Sequence, residues 1–185
     1  AGGQNAIAFL ESLNELLSGH SQKKVNLTVK WDGAPAIVAG PSPENGKFFV
    51  GTKSVFNKTP KVNYSIADIR KNHTGEVANI LRECLTYLSN LGMKEILQGD
   101  LMFTSSGKKK TTYKDPTGKQ EAMISFQPNT IVYMVPENTP FGRKIASSKL
   151  GIVFHTTYKG KDFKSLKASF GANVSKLRRS PNVWF

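Results

Sequence analysis

With 185 residues, 38% of them hydrophobic and 10% aromatic, the chain suffices for one packed domain, since domains commonly span about 100–200 residues. Its 26 Lys and Arg against 13 Asp and Glu leave a net charge of +13, which points to a polyanionic partner: nucleic acid, nucleotide phosphates or an acidic surface. No apolar run approaches the roughly 18 residues of a membrane-spanning helix, the start carries no signal-peptide pattern, and one cysteine, Cys84, excludes an internal disulfide and fits a reducing compartment.

In chain order, Ala6, Phe9, Leu10, Leu13, Leu16 and Leu17 recur at helical spacing and predict an amphipathic helix over 5–18, stopped by Gly19. Val25, Leu27 and Val29 then alternate with Asn26, Thr28 and Lys30, the period of a strand. Trp31-Asp32-Gly33-Ala34-Pro35 breaks it, and Ala36, Ile37 and Val38 begin a second strand that stops at Gly40-Pro41. Lys30 and Asp32 stand at the turn on one side. By themselves they also fit a solvated surface pair worth about 0–1 kcal/mol.

A turn cluster over 41–46 precedes a predicted strand over 47–56, with Lys53 and Ser54 near its end, and residues 57–65 read as a loop. Val77, Ile80, Leu81, Cys84, Leu85 and Leu88 mark one face of a long helix over 75–91, with Gly92 at the stop and Cys84 as a buried structural thiol. The next strand, over 95–103, is apolar except around Gly99-Asp100. An acid there is costly to bury unless it is paired or bound to a metal, which singles out Asp100.

Gly107-Lys108-Lys109-Lys110 and the turn residues 115–119 bracket a hairpin, and strands follow over 122–126 and 130–135. The lysine run fits either a clamp on a nucleic-acid backbone or a solvated basic turn. Asn138-Thr139-Pro140 has the form of a helix start, leading through to Ser148, and 150–158 is a strand. The tail is basic and less patterned, with Lys164 and Lys167 in a stretch compatible with helix. Hairpin-joined strands with inserted helices imply an α+β fold on antiparallel sheets, one domain over 1–185. The abrupt Ala-Gly-Gly start and Trp-Phe end read as the edges of a piece of a longer chain.

Lys30-Trp31-Asp32-Gly33 resembles the Lys-x-Asp-Gly nucleotidyl-acceptor motif of the covalent nucleotidyltransferases: ATP-dependent DNA ligases, RNA ligases and messenger-RNA capping enzymes. Gly51-Thr52-Lys53-Ser54 looks like the short basic strand that follows the nucleophile in that superfamily, and Leu97-Gln98-Gly99-Asp100-Leu101-Met102 is similar to its hydrophobic-x-Gly-acid-hydrophobic motif. The texture of the first two segments also resembles ligase-like proteins of large tailed bacteriophages.

The resemblance implies a nucleotidyltransferase (ATP-grasp-like ligase) domain, possessing a Lys30 amine that attacks the α-phosphorus of ATP to form lysyl-AMP before the nucleotide passes to a nucleic-acid 5′-phosphate. It implies that Asp32 orients the site and its metal, that Gly33 lets the turn approach the nucleotide, and that Lys53 neutralises a phosphate. Asp100 would contact the ribose or a metal-bound water, with Mg²⁺ as the ion. Phe126 and Tyr133 are the candidates to stack on adenine, each with a strand-core role as its alternative. DNA or RNA ends would be the partners, with phage proteins as further ones, in an infected bacterial cytoplasm or a virion.

Two motifs depart from the pattern. The superfamily's next motif places a glutamate before Gly-hydrophobic-Val, whereas Leu150-Gly151-Ile152-Val153 has leucine, and its final Lys-x-Lys has no counterpart. The missing motifs either lie beyond Phe185 or are lost. Pro35 stands where many DNA ligases place an arginine, and His155 reads as a strand histidine or a ligand. A catalytically degenerate ligase-like domain that binds nucleic acid or serves in the virion is the main alternative, and a capping-type guanylyltransferase is another.

Overall fold

A computed structural model gives the fold and describes residues 7–8 and 35–185. The first sheet begins with a hairpin of β2 (Ala36–Pro41) and β3 (Phe48–Gly51), paired from Val38↔Gly51 to Pro41↔Phe48. The turn between them closes through Ser42 N–H donating to the Lys47 carbonyl at 2.8 Å, and Gly46 takes the left-handed φ of +73° that glycine tolerates at no steric cost. The strand predicted over 47–56 ends early. Thr52 Oγ1 accepts from the Ser54 N–H at 3.2 Å and starts a 3-10 turn over Lys53–Phe56, which folds Val55 back against Gly51.

Two helices follow. α1 (Ile66–Asn72) starts in a capping box in which Ser65 and Asp68 satisfy each other's backbone N–H groups. α2 (Gly75–Leu88) buries Ile80, Leu81, Cys84 and Leu88 of the predicted face together with Ala78, keeps Val77 and Leu85 partly buried, and finishes in a 3-10 turn before Gly92 at φ +62°. Burial raises the Cys84 thiol pKa far above its ordinary range, with the Glu83 charge adding to it, so this cysteine is an inert core residue.

The chain then crosses the first sheet as β4 (Ile96–Thr104) and leaves it for a hairpin of β5 (Lys108–Lys114) and β6 (Gln120–Phe126), continued by β7 (Val132–Pro136). Thr139 caps α3 (Pro140–Ser147), accepting from Gly142 N–H at 2.9 Å, with Pro140 at the first turn as the sequence predicts. β8 (Leu150–Lys159) returns to the first sheet, β9 (Lys167–Phe170) pairs with its second half, and β10 (Val183–Trp184) pairs with its start. Lys167 therefore opens a strand and Lys164 lies in the preceding turn, correcting the helical reading of that stretch.

The first sheet has the order β10-β8-β4-β2-β3, and the second has β1-β7-β6-β5, where β1 is Ile7–Ala8, parallel to Val132–Tyr133. Those two residues fall in the helix predicted over 5–18; the rest of that helix, and the strand and turn over 25–34, lie outside the described residues. The fold is α+β with largely antiparallel sheets, as composition and periodicity predict.

Strand alternation divides the apolar residues of the first sheet between two faces. Ile37, Ala39, Leu97, Leu101, Ile152 and Phe154 pack with α2. On the opposite face Met102, Phe103, Val153 and Trp184 meet Phe126, Tyr133 and Val135 of the second sheet, while Val38, Phe49 and Ile96 gather with Val55 and Phe163 into a third cluster. Full burial of a Leu or Phe in such clusters contributes about 1.5–3 kcal/mol each.

Candidate functional site

Along the face of β4 turned away from α2, Ile96 belongs to the third cluster and Met102 to the inter-sheet cluster. Alternation places Gln98 and Asp100 between them. These two polar residues thus occupy the gap separating two apolar clusters.

β8 supplies their partners. Gln98 is registered with Thr156 and Gly99 with Phe154, so His155 is the extra residue of a β-bulge. The bulge brings His155 beside Asp100: its Nε2 lies 3.3 Å from Asp100 Oδ1, and its Nδ1 lies 2.7 Å from Thr156 Oγ1. The Tyr158 hydroxyl donates to Gln98 Oε1 at 2.5 Å, and burial raises the pKa of that hydroxyl, which keeps it a donor. Asp100 is 16% and His155 25% exposed, so the pair is sheltered yet open to a ligand. The cost of placing an acid in an apolar strand, which singled out Asp100, is met by His155.

Gly99 holds this geometry. A Cβ there would stand 2.6 Å from the Val153 carbonyl oxygen and 2.9 Å from Ile152 Cγ1, so only glycine lets β8 approach closely enough for the bulge. Gly151 plays a similar part higher on β8, where a Cβ would meet the Phe103 ring at 2.3 Å.

β2 reaches the same place. Ala36 is registered against Asp100, and Asp100 against Val153. Lys30, Asp32 and Gly33 lie outside the described residues; in sequence they precede Ala36 by six, four and three positions. Six residues of chain span at most about 20 Å. Since Val38 pairs with Gly51, β3 also ends beside the start of β2, and Lys53 leaves the sheet there, exposed to solvent in the 3-10 turn.

The two aromatic candidates are core residues. Phe126 is 2% exposed, stacked on Tyr133 with ring centroids 5.4 Å apart and packed also against Phe103 and Trp184. Tyr133 is equally buried, and its hydroxyl pKa is raised by burial and then by the negative charge of Asp100, which marks it as a neighbour of the site from the second sheet. Strand-core packing, the alternative for both rings, is what is observed.

Among the described residues no group of three or more His, Cys, Asp or Glu is arranged to hold a metal. Asp100 offers one sheltered carboxylate, which suits Mg²⁺, an ion usually held by one or two carboxylates together with substrate phosphates. Motif spacing did not reveal the His155 bulge or the Gln98–Tyr158 bond. Period-two alternation could have placed Gln98 beside Asp100, whereas the bulge depends on cross-strand register.

One family model matches the chain over residues 1–185. The chain belongs to DUF6267, a family of unknown function. No curated protein and no solved structure matches it. Function must therefore be read from the residues themselves.

Proposed function

We propose that this member of DUF6267 is a covalent nucleotidyltransferase domain of a polynucleotide ligase, with Lys30 as the acceptor of AMP from ATP. The observation that carries the reading is the strand order β3-β2-β4-β8. It sets the strand leaving Lys30-Trp31-Asp32-Gly33, the strand leading into Lys53 and the strand bearing Asp100 side by side, around a sheltered Asp100–His155 pair.

In this reading the Lys30 amine attacks the α-phosphorus, a P–N bond forms and the bond to pyrophosphate breaks. A nucleic-acid 5′-phosphate then takes the AMP, and a 3′-hydroxyl displaces it. Only on the order of one lysine amine in a thousand is neutral at pH 7, so the site must favour the neutral form, and a cation such as Lys53 brought beside the amine would act in that direction. Asp100, with Asp32 from the preceding turn, would hold Mg²⁺, whose contribution is to neutralise phosphate charge. His155 fixes the orientation of the Asp100 carboxylate.

One observation favours a degenerate domain that binds nucleic acid without catalysis: Leu150, where the superfamily has glutamate, is fully buried in the core against α2. Incubation with Mg²⁺ and α-labelled ATP or GTP, followed by a denaturing gel, separates the readings. The ligase reading expects label from ATP on wild type, none on Lys30→Ala and about a hundredfold less on Asp100→Asn. Label from GTP alone assigns a capping-type guanylyltransferase, and absence of label from both nucleotides overturns the enzymatic reading.

A further inference from the structure

The stretch from Asn138 to Lys161 contains no acidic residue, and neither does the chain after Asp162. The fold brings these two acid-free segments together. Lys144 Nζ donates to the Ser180 carbonyl, and the Lys149 and Leu150 N–H groups donate to the Asn182 carbonyl at 2.8 and 3.0 Å. Lys108 arrives at the same point from β5, bonded to the carbonyls of Ile145, Ala146 and Ser148. Lys108, Lys144, Lys149 and Arg179 therefore meet around the last turn of α3.

These cations are of two kinds. Lys108 and Lys144 are partly buried and donate to backbone carbonyls, which accounts for them within the fold. Lys149 and Arg179 are exposed, and the ion pairs among the described residues lie elsewhere: Lys110 with Glu137, His155 with Asp100 and Lys159 with Glu95. Glu83, which reaches the β4–β5 turn, accepts from the Ser105 hydroxyl at 3.1 Å and pairs with none of the four. The exposed charges act against the partly buried ones: after burial, Lys149 is what lowers the Lys108 pKa, and Arg179 what lowers that of Lys144. Like charges gathered without a counter-charge destabilise the fold that holds them, and an external anion removes that cost.

The surroundings select the anion. Phe170, the exposed large hydrophobic residue among those described, lies on β9, which pairs with the far half of β8. The aromatic residues local to the cations, Phe141 and Trp184, pack edge-on against each other, with Trp184 buried. This corner thus offers charge without a ring to stack on a base and without an apolar anchor for a lipid surface. Duplex nucleic acid needs neither, and it presents phosphates at one charge per about 1.7 Å of its axis.

We infer that the corner where the end of α3 meets the C-terminal tail is a docking surface for the phosphate backbone of duplex nucleic acid, with Lys149 and Arg179 as its phosphate contacts. Lys149 immediately precedes β8 and stands six residues before His155, about 20 Å along the strand. That is about the rise of six base pairs. Only the relation of the duplex to the Asp100–His155 pair rests on the ligase reading; the binding itself needs neither ATP nor metal.

Fluorescence anisotropy of the full chain with a labelled 20-base-pair DNA duplex, and with either strand alone, tests it in the absence of nucleotide and Mg²⁺. Lys149→Gln with Arg179→Gln is expected to lower the slope of log affinity against log salt by about 1.8, so that the affinity lost between 50 and 200 mM salt is about twelvefold smaller than in wild type. Lys149→Arg with Arg179→Lys should keep the wild-type slope. Lys47→Gln with Lys58→Gln removes the same charge beside β3, at the opposite edge of the first sheet, and should leave the slope unchanged. Because it relieves repulsion, Lys149→Gln with Arg179→Gln should also melt no lower than wild type at low salt. An equal fall in slope in both neutralised pairs, tighter binding of a single strand than of the duplex, or binding to phosphatidylserine vesicles in place of the duplex would overturn the inference. So would a clear drop in melting temperature on neutralising Lys149 and Arg179, which would make the two cations structural. Failure of Lys30 to take label leaves this result unchanged, and neutralising Lys149 and Arg179 should not prevent Lys30 labelling by ATP.

Discussion

Replacing Gly99 with alanine tests whether the close approach of β4 and β8 builds the site. The added Cβ would lie 2.6 Å from a backbone oxygen and 2.9 Å from Ile152 Cγ1. Neither neighbour yields easily, because Val153 and Ile152 are themselves paired with Asp100 and Leu101 and are buried. Overpacking of this kind costs about 1–3 kcal/mol. For a chain of this length each kcal/mol moves the melting temperature by about 2–4 °C, giving an expected drop of about 2–12 °C. The β8 backbone must shift at Val153, two residues before His155, so the 3.3 Å contact of His155 with Asp100 should lengthen and ATP labelling should fall by more than the loss of folded protein explains. Thermal melting by circular dichroism reads the first effect and labelling at 20 °C the second. Gly107→Ala is the control: its nearest neighbours stand 3.6 Å or more from the added carbon, and it should melt with wild type. Melting of Gly99→Ala within 1 °C of wild type would refute the close-approach explanation of the bulge.

His73 supplies a pH-dependent prediction. Burial, followed by the positive charge of Lys61, lowers its pKa, and the buried Asn63 Nδ2, 3.2 Å away, donates to its Nε2, which must therefore be unprotonated. With the folded value below the ordinary value of about 6.5, the unfolded chain binds more protons in that window. Stability is thus full above about pH 6.5 and declines as pH falls toward the folded value; melting scans from pH 7.5 to 5 should show the decline, and His73→Gln should flatten it. Lys108 caps α3: its ammonium donates to the carbonyls of Ile145 at 3.0 Å, Ala146 at 2.9 Å and Ser148 at 2.5 Å. Lys108→Met is expected to lose about 1.5–3 kcal/mol in urea unfolding, whereas Lys109→Met, exposed on the same strand, should change little.

Local pattern was enough for much of the scaffold. The 3.6-residue spacing of Ile80, Leu81, Cys84 and Leu88 decided α2, the Thr139-Pro140 pair decided the start of α3, and the Asp115–Lys119 turn decided the β5–β6 hairpin, because each depends on residues a few positions apart. The motif glycine and acid of β4 were also visible, as was the conflict of Asp100 with its apolar surroundings.

Tertiary structure alone decided what resolves that conflict. His155 is 55 residues from Asp100, and nothing near it in sequence announces a bulge; only the register of β8 against β4 places the ring there. Lys108, read as part of a basic turn, is instead one of three lysines in a row singled out by the open end of a helix. The tail, read as basic and less patterned, holds the strand β9, which only its pairing with β8 defines. Periodicity reports which face a side chain takes, but the partner on that face is chosen by strands brought together from distant parts of the chain.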